Sequence, residues 1–340
     1  MAKKFNVAIV GATGAVGEAM LSILEQRGFP IGEIYPLASS RSAGKRISFN
    51  GESVKIGDLA EFDFSQAQIG LFSAGASISA EYAPKAVAAG CVVIDNTSQF
   101  RYEADIPLVV PEVNPERIAE FSNQGIIANP NCSTIQMVVA LKPIYDAVGI
   151  DRINVCTYQA VSGSGKVGVE EVVSQTAKLL NGKPVTPKVY PKQIAFNVLP
   201  QIDVFMDNGY TKEEMKMVWE TKKIMADDDI KVNATAVRVP VFFGHSEAVH
   251  LETREPISAS AARALLEKAP GVTVVDVREE GGYPTAVTES SGDDAVFVGR
   301  IRSDISHPLG LNLWVVSDNV RKGAALNSVQ IAEILAQEYL

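Results

Sequence analysis

The chain has 340 residues, which is long for one ordinary domain and favours two. Apolar residues make up 46% and charged residues 21%, an ordinary globular composition with enough apolar surface for two cores. The net charge of -9 argues against a nucleic-acid-binding protein, which usually has a basic face, but it leaves small anionic substrates open.

Three cysteines in so long a chain do not make a disulfide framework. Neither they nor the three scattered histidines have the spacing of a metal site. The sequence has no signal-peptide pattern and no apolar run long enough to span a membrane. We therefore expect a cytoplasmic protein without a bound metal and without a nucleic-acid or membrane partner.

The first third of the chain alternates short apolar strands with helices. Strands are predicted over 5–10, 34–39, 69–73, 92–95, 108–110 and 125–128, and helices over 18–26 and 80–89. Such alternation is typical of a parallel sheet covered by helices on both faces. We therefore predict a doubly wound, Rossmann-type α/β domain.

Beyond about residue 150 the predicted strands are longer and alternate in polarity. They cover 153–161, 232–241, 248–252, 272–277, 295–301 and 311–316, with helices near 167–181, 211–226 and 258–268. This pattern indicates an α+β domain with a mixed or antiparallel sheet. We place the amphipathic helix 324–340 back against the first domain. The expected domains are 1–130 plus 322–340, and 131–321.

A glycine-rich turn follows the first predicted strand and precedes the first helix, with the spacing G-x-x-G-x-x-G. A tight strand-to-helix turn directs free backbone N–H groups at one point, and glycines let a pyrophosphate approach them. Simple helix–strand packing is the alternative explanation of the glycines. We predict a dinucleotide site formed by Gly11, Thr13, Gly14, Ala15, Val16 and Gly17.

The end of the second strand indicates which dinucleotide is bound. NAD enzymes usually have a carboxylate there, whereas this chain has Ser39, Ser40 and Arg41, followed by Lys45. Hydroxyls and cations suit a 2′-phosphate, because arginine donates to it as a fork. We therefore predict NADP rather than NAD, with a solvated turn as the alternative.

Cys132 is the candidate nucleophile. It follows Asn131 and precedes a strongly helical run over 135–148, so it falls at or beside a helix N-terminus. The helix dipole favours the thiolate there, and the free N–H groups with the Asn131 amide can hold a developing oxyanion. Cys91 and Cys156 lie within apolar strand patterns and are expected to be small buried hydrophobes.

A thiolate enzyme also needs an acid or base, and three histidines are available. His307 lies in a predicted turn and His250 on an alternating strand. His245 follows a strand that Gly244 interrupts, which is expected to swing its ring out of the sheet. It is the best-placed candidate, although a lone histidine is more often structural.

Together these segments resemble the aspartate-semialdehyde dehydrogenases almost from end to end. The cysteine and histidine segments, in this order and with these neighbours, are highly specific. Gln99 is a small departure, since a serine or similar small residue is expected there. The motifs are GATGAVG at 11–17, SSRSAGK at 39–45, NTSQFR at 96–101, NPNCST at 129–134, YQAVSG at 158–163, RVPV at 238–241 and FGHSE at 243–247.

The resemblance implies a reaction in the aspartate-derived amino-acid pathway, in which NADPH reduces L-aspartyl 4-phosphate to L-aspartate 4-semialdehyde and phosphate is released. It implies a second domain of the glyceraldehyde-3-phosphate-dehydrogenase type and at least a homodimer formed through that domain, to which the segment 183–200 is expected to contribute. Dimer versus tetramer stays open.

The resemblance also assigns roles to residues of this sequence. Cys132 would be the nucleophile that forms a thioester, His245 would move the proton, and Gln159 would orient the acyl group or a water. Arg238 would bind the substrate carboxylate, and Glu220 its ammonium. The remaining implied contacts are Arg101, Lys223 and Asn131 with the substrate and its phosphate, and Ser162, Gly163 and Gln330 with the cofactor.

Spacing alone favours a different reading of one pair. Glu220 and Lys223 lie three residues apart on a helix that Thr211 and Glu214 open as a capping box, and by spacing alone they are an ion pair on a solvated face. Only the match to the family's E-x-x-K segment favours a role in substrate binding.

Three rival identities fit the sequence less well. N-acetyl-glutamyl-phosphate reductase is disfavoured because that family has a glycine where this chain has Asn131. Glyceraldehyde-3-phosphate dehydrogenase is disfavoured because its Ser-Cys-Thr-Thr-Asn segment is absent. A silent paralogue that only binds dinucleotide would have little physical reason to keep the set Cys132, Gln159, Arg238 and His245.

Overall fold

The computed structural model describes residues 3–340. The elements in chain order are β1 Phe5–Val10, α1 Ala15–Gln26, β2 Ile31–Ala38, β3 Arg46–Phe49, β4 Glu52–Lys55, β5 Gly57–Asp58, β6 Ile69–Phe72, α2 Ala76–Ala88, β7 Val92–Asp95, β8 Ile126–Ala128, α3 Cys132–Val148, β9 Ile150–Gln159, α4 Lys166–Leu180, α5 Lys212–Met225, β10 Lys231–Arg238, β11 His245–Thr253, α6 Ala259–Leu266, β12 Val272–Val274, β13 Val296–Ser303, β14 Gly310–Ser317 and α7 Leu326–Glu338. The chain divides into two compact units, 1–130 with 324–340, and 131–323.

The first unit is built on a parallel sheet with the strand order β5-β2-β1-β6-β7-β8. The predicted doubly wound α/β domain is confirmed. Strands β6 and β7 are buried along their whole length, as expected of strands covered on both sides. The C-terminal helix α7 belongs to this unit, where Leu335 is fully buried and Glu333 forms an ion pair with Arg27 of the loop after α1.

Two details of this unit differ from the sequence prediction. Residues 108–110 do not form a strand: only Leu108 makes a β-bridge, to Ala128. Pro107 and Pro111 flank these residues, and a proline has no N–H to donate to a ladder. The hairpin β3–β4 was missed, although Asn50 and Gly51 have the positive φ of a two-residue turn and are its usual residues.

The second unit is built on a mixed sheet with the order β10-β9-β11-β14-β13-β12. The two outer pairs, β10–β9 and β13–β12, are parallel, and the three inner pairs are antiparallel. The predicted α+β domain is confirmed. The strand expected over 232–241 ends earlier, at Arg238, since Pro240 cannot donate to the sheet.

One face of this sheet is covered by α3, which contacts β9, β11, β13 and β14. His245, Glu247 and Val249 alternate onto that covered face and are fully buried. Cys156 and Tyr158 lie on the opposite face and stay partly exposed. The expectation that Cys156 is a buried hydrophobe is therefore wrong, because no helix within residues 3–340 covers its side of the strand. Among residues 3–340, no helix combines the length and apolarity needed to cross a membrane.

Candidate active site

The glycine-rich turn between β1 and α1 has a backbone that only glycine fits. Gly11 has a φ of +93°, and a Cβ there would lie 3.0 Å from the Ala74 nitrogen. A Cβ on Gly17 would lie 2.3 Å from the Gly11 oxygen, so this glycine allows close packing of α1 on the turn. Helix α1 begins at Ala15, so its first-turn N–H groups are presented at the turn.

A cavity of about 590 Å³ opens beside this turn, within the first unit. Lys45, the second cation of the predicted phosphate site, does not line it. The sequence analysis did not predict the lining residues that follow β5 and β6. Those after β6 could have been predicted, because the loops at the carboxyl ends of neighbouring parallel strands lie together. The lining combines the predicted Gly11, Thr13, Gly14, Ser39, Ser40 and Arg41 with Ala38, Asp58, Leu59, Ala60, Ser73, Ala74, Ile78 and Tyr82.

Cys132 is the first residue of α3, as the sequence predicted, and it is partly exposed. Asn131 is the N-cap: its side-chain oxygen accepts hydrogen bonds from the N–H groups of Ser133 at 3.1 Å and Thr134 at 3.4 Å. The cap fixes the orientation of the first helical turn. The cysteine is thereby held at the positive end of the helix dipole.

Helix α5 supports this cap with two buried carboxylates. The Glu220 side chain accepts the Asn131 backbone N–H at 2.6 Å, and the Glu213 side chain accepts the Asn131 amide at 2.9 Å. The capping box of Thr211 and Glu214 that was predicted for α5 is present. Glu220 is fully buried, so the reading of Glu220 and Lys223 as a solvated ion pair is wrong.

Glu213 connects the cysteine side of the site to the histidine side. It also accepts a hydrogen bond from the Gln159 amide at 3.1 Å and pairs with Lys216 at 2.9 Å. Burial opposes its ionisation, but Lys216, Asn131 and Gln159 together lower the pKa of Glu213 to about 2. Sequence analysis missed this residue, because an acid in a first helical turn is explained equally well by the helix dipole.

His245 begins β11 and is fully buried. Its Nδ1 accepts the Ala160 N–H at 3.0 Å, which places the proton of the neutral ring on Nε2. Nε2 lies 3.4 Å from the Gln159 amide nitrogen. Burial, and next the positive charge of Arg238, lower the pKa of His245 to about 3, so the ring is neutral near pH 7.

Arg238 ends β10 and is buried beside this histidine. Its Nη1 donates to the Ala160 oxygen at 2.7 Å. A Cβ on Gly163 would lie 2.9 Å from the same nitrogen, so the turn after β9 fits closely over Arg238. Ser162 in this turn hydrogen-bonds Asn319. The structure thus places Gln159, Ser162, Gly163, Arg238 and His245 in one cluster, which sequence spacing could not show.

The other predicted residues lie in several elements. Arg101 is buried in the first unit, where its Nη2 donates to the Asn96 oxygen at 3.0 Å. Gln330 on α7 donates to Glu112 at 3.1 Å in the same unit. Lys223 lies in the last turn of α5 and is partly exposed.

The remaining cysteine and histidines have structural environments. Burial raises the pKa of Cys91 to about 12, so its thiol stays protonated near pH 7. His250 contacts Asn312 on the open sheet face, and His307 caps a turn by accepting the Leu309 N–H at 3.3 Å.

Two family models match the chain. Residues 6–121 match the model described as "Semialdehyde dehydrogenase, NAD binding domain", and residues 141–322 match "Semialdehyde dehydrogenase, dimerisation domain".

Relatives and solved structures agree with those models. The chain is 67% identical to an aspartate-semialdehyde dehydrogenase of Shewanella violacea over the full length of both proteins. It matches the crystal structure of aspartate semialdehyde dehydrogenase II from Vibrio cholerae, complexed with ASA, at a TM-score of 0.98 and 62% identity over all of both chains. It also matches the Candida albicans enzyme with NADP at a TM-score of 0.77 and 28% identity, over 98% of each chain.

The close approach of Gly323 to the cysteine gives a testable prediction. A methyl group at position 323 would lie 2.8 Å from the Cys132 Cβ and 3.3 Å from its Cα. We expect Gly323→Ala to displace the start of α3, to cost about 1–3 kcal/mol of stability and to slow alkylation of Cys132. Mass-spectrometric labelling with iodoacetamide measures the rate, with the unsubstituted chain labelled in parallel as the control. Unchanged labelling of Cys132 in the folded variant would contradict the prediction.

Proposed function

The chain belongs to the aspartate-semialdehyde dehydrogenase family, and from this premise we propose how its own residues perform the family reaction. It reduces L-aspartyl 4-phosphate to L-aspartate 4-semialdehyde, with release of phosphate, and takes the hydride from a nicotinamide dinucleotide. The observation that carries the residue assignment is the hydrogen-bonded path from the Asn131 cap beside Cys132, through Glu213, to the Gln159 amide, whose nitrogen lies 3.4 Å from Nε2 of His245.

Cys132 is the nucleophile in this proposal. Its thiolate attacks the carbonyl carbon of the acyl phosphate; a C–S bond forms, and the C–O bond to phosphate breaks. NADPH, when held beside the glycine-rich turn by Ser39, Ser40 and Arg41, would supply the hydride that reduces the thioester carbon. The C–S bond then breaks, its electron pair returns to sulfur, and the aldehyde leaves. The N-terminal position of Cys132 on α3 favours the thiolate that begins and ends this sequence.

His245 and Gln159 act on the carbonyl oxygen and on the proton. Because Nδ1 of His245 accepts the Ala160 N–H, the Nε2–H is the group that the ring presents to a substrate oxygen. A neutral imidazole is a suitable donor to an oxygen that gains negative charge. The Gln159 amide, held by Glu213 and Thr157, orients the acyl group beside it.

The remaining binding roles pair each charged group of the substrate with a side chain of opposite charge. Arg238 takes the substrate carboxylate, since a guanidinium has five N–H donors and Ala160 occupies one of its nitrogens. Glu220 takes the ammonium, and Arg101 and Lys223 take the phosphate. Asn131 contributes through the helix N-terminus that it caps. These assignments rest on the motif matches and on the chemistry of each side chain.

We propose NADP as the physiological cofactor. Ser39, Ser40 and Arg41 line the cavity beside the glycine-rich turn and are exposed, as a 2′-phosphate ligand set requires. No carboxylate follows β2 directly to receive ribose hydroxyls. The N-terminus of α1 at this turn supports the binding of a pyrophosphate. A biosynthetic reaction with NADPH also fits the cytoplasmic location expected from the sequence.

Replacement of the nucleophile tests the proposed chemistry. In the oxidative direction, with aspartate semialdehyde, phosphate and NADP, we expect phosphate-dependent formation of NADPH. Cys132→Ser should lower kcat by about a thousandfold or more, because removal of a covalent nucleophile removes the covalent route. Absorbance of NADPH measures the rate, and Cys156→Ser is the control. Turnover only with N-acetyl-glutamate semialdehyde would transfer the protein to the rival reductase family.

Replacement of Arg41 tests the cofactor assignment. Arg41→Ala should raise KM for NADP about tenfold to a hundredfold, since one charge-assisted contact with the 2′-phosphate is lost, and should leave KM for NAD nearly unchanged. Lys45→Ala is the matched control, because Lys45 lies outside the cavity lining. Equal effects of Arg41→Ala on both cofactors would contradict the assignment.

We further propose a homodimer formed through the open face of the mixed sheet. Tyr158 and Trp314 lie 5.7 Å apart on this face, next to a cavity of about 480 Å³ whose rim includes the exposed Tyr283 and Val287. Phe196, in the segment 183–200, is also 65% exposed. An aromatic patch of this kind is typical of a protein interface, and the match of residues 141–322 to a dimerisation domain supports an interface in this unit.

A charge on this face should prevent assembly. Tyr158→Glu is expected to shift the protein from the mass of two chains to that of one in size-exclusion chromatography with light scattering, because a buried unpaired carboxylate is costly. Tyr339→Glu is the control, since Tyr339 is equally exposed, at 37%, but lies in the other unit. A dimeric Tyr158→Glu variant would exclude this face as the interface.

A further inference from the structure

A fully buried glutamate lies beside His245 without a role in the chemistry described above. Glu247 follows His245 by two residues on β11 and has no exposed surface. Strand register pairs it with Thr157 of β9 and Val315 of β14 on the face that α3 covers.

The surroundings of Glu247 do not support a carboxylate anion. Neither of its side-chain oxygens accepts a hydrogen bond, and within residues 3–340 no lysine, arginine or histidine pairs with it. An unpaired buried charge of this kind is strongly unfavourable. Burial accordingly raises the pKa of Glu247 well above its ordinary value, and the neighbouring Gln136 amide opposes this only partly.

The other groups on this face do not supply a counter-charge. Across the sheet, Glu247 lies opposite Thr157 of β9 and Val315 of β14, and His245 lies opposite Ser317 of β14. His245 is neutral near pH 7. Besides Cys132 in the first turn, α3 carries Lys142, Tyr145 and Asp146 in its later turns, where Lys142 pairs with Asp146 and Tyr145 donates to Asp227. The negative charge of Glu213 lies beyond Gln159.

We propose that Glu247 is a positioning residue that works as a neutral carboxylic acid, donating a hydrogen bond to Gln136 and thereby holding the first turns of α3 against the His245 strand. The inference rests on the proposed function of Cys132 and His245 as the catalytic pair.

The donors and acceptors around Glu247 are consistent with a hydrogen bond donated by Glu247 to Gln136. The side-chain oxygen of Gln136 is buried without a partner, so it is available to accept the carboxylic proton. The Gln136 amide nitrogen donates to the His245 backbone oxygen at 3.5 Å, which continues the link from α3 to β11. Thr157 already donates its own proton to Gln159 at 3.1 Å, so its oxygen is left as a second acceptor.

The proposal has a consequence for stability as a function of pH. In the unfolded chain this carboxyl ionises near its ordinary pKa of 4.5, while in the folded chain it keeps its proton to a higher pH. Between those two values the folded state binds more protons, so this group's contribution to stability falls as pH rises. Replacing Glu247 with glutamine, which does not ionise, removes this fall in stability.

Two substitutions separate the neutral form from an ionised one. Glu247→Gln keeps a donor and an acceptor of the same shape, so kcat should stay within about threefold of the wild-type value. Its Tm relative to that of the wild type should increase as the pH is raised above 4.5, the ordinary pKa of this carboxyl. Glu247→Met keeps the volume but removes the donor, and should lower kcat about tenfold with KM little changed, and slow alkylation of Cys132. Glu171→Gln is the matched control: that buried glutamate accepts backbone N–H groups of Lys188 and Val189 outside the catalytic cluster.

The outcomes are distinct. An inactive Glu247→Gln variant whose Tm falls relative to the wild type as pH rises would mean that Glu247 works as an anion, and would overturn the proposal. A fully active Glu247→Met variant would also overturn it. Because Tm and the alkylation rate need no substrate, they test Glu247 even if the wild-type chain lacked the proposed activity.

Discussion

The N-cap of α3 is the interaction on which the rest of the catalytic unit depends. Asn131 uses its side-chain oxygen to cap the helix, its amide to bind Glu213 and its backbone N–H to bind Glu220. The orientation of Cys132 is therefore decided by α5, a helix about 80 residues further along the chain. This connection explains why a strong capping box opens α5: if that helix shifted, the nucleophile would shift with it.

Buried carboxyl groups in this unit have different protonation states because their neighbours differ. Glu213 has a lysine and two amide donors and is ionised, whereas Glu247 lacks such partners and keeps its proton. The ionised group aligns the polar side chains that face the substrate. Glu247, the neutral group, lies two residues beyond His245 on β11, where burying a charge would be too costly. His245 lies between these two environments and is itself held neutral by burial and by Arg238.

The nucleotide unit depends on backbone geometry rather than on buried charge. Its turn requires glycine at position 11 because of the positive φ, and at position 17 because the helix packs against the turn. Close packing therefore explains the glycines at both positions, and the approach of a phosphate to this turn stays a prediction. Since the backbone supplies the pyrophosphate site, cofactor preference is left to a few exposed side chains such as Arg41.

The sequence alone determined the two domain types, the glycine-rich turn and the helix-start position of Cys132, because each depends on local periodicity, turn chemistry or capping. The motifs around Cys132 and His245 also determined the family. The clustering of Gln159, Arg238, Gly163 and His245 needed the tertiary structure, since strand order brings together residues that are distant in sequence. The same holds for Glu213 and Glu247. A glutamate on a regular helix or strand can be solvated, ionised within a hydrogen-bonded network, or neutral. The groups packed against it decide which, and the local sequence pattern does not predict those groups.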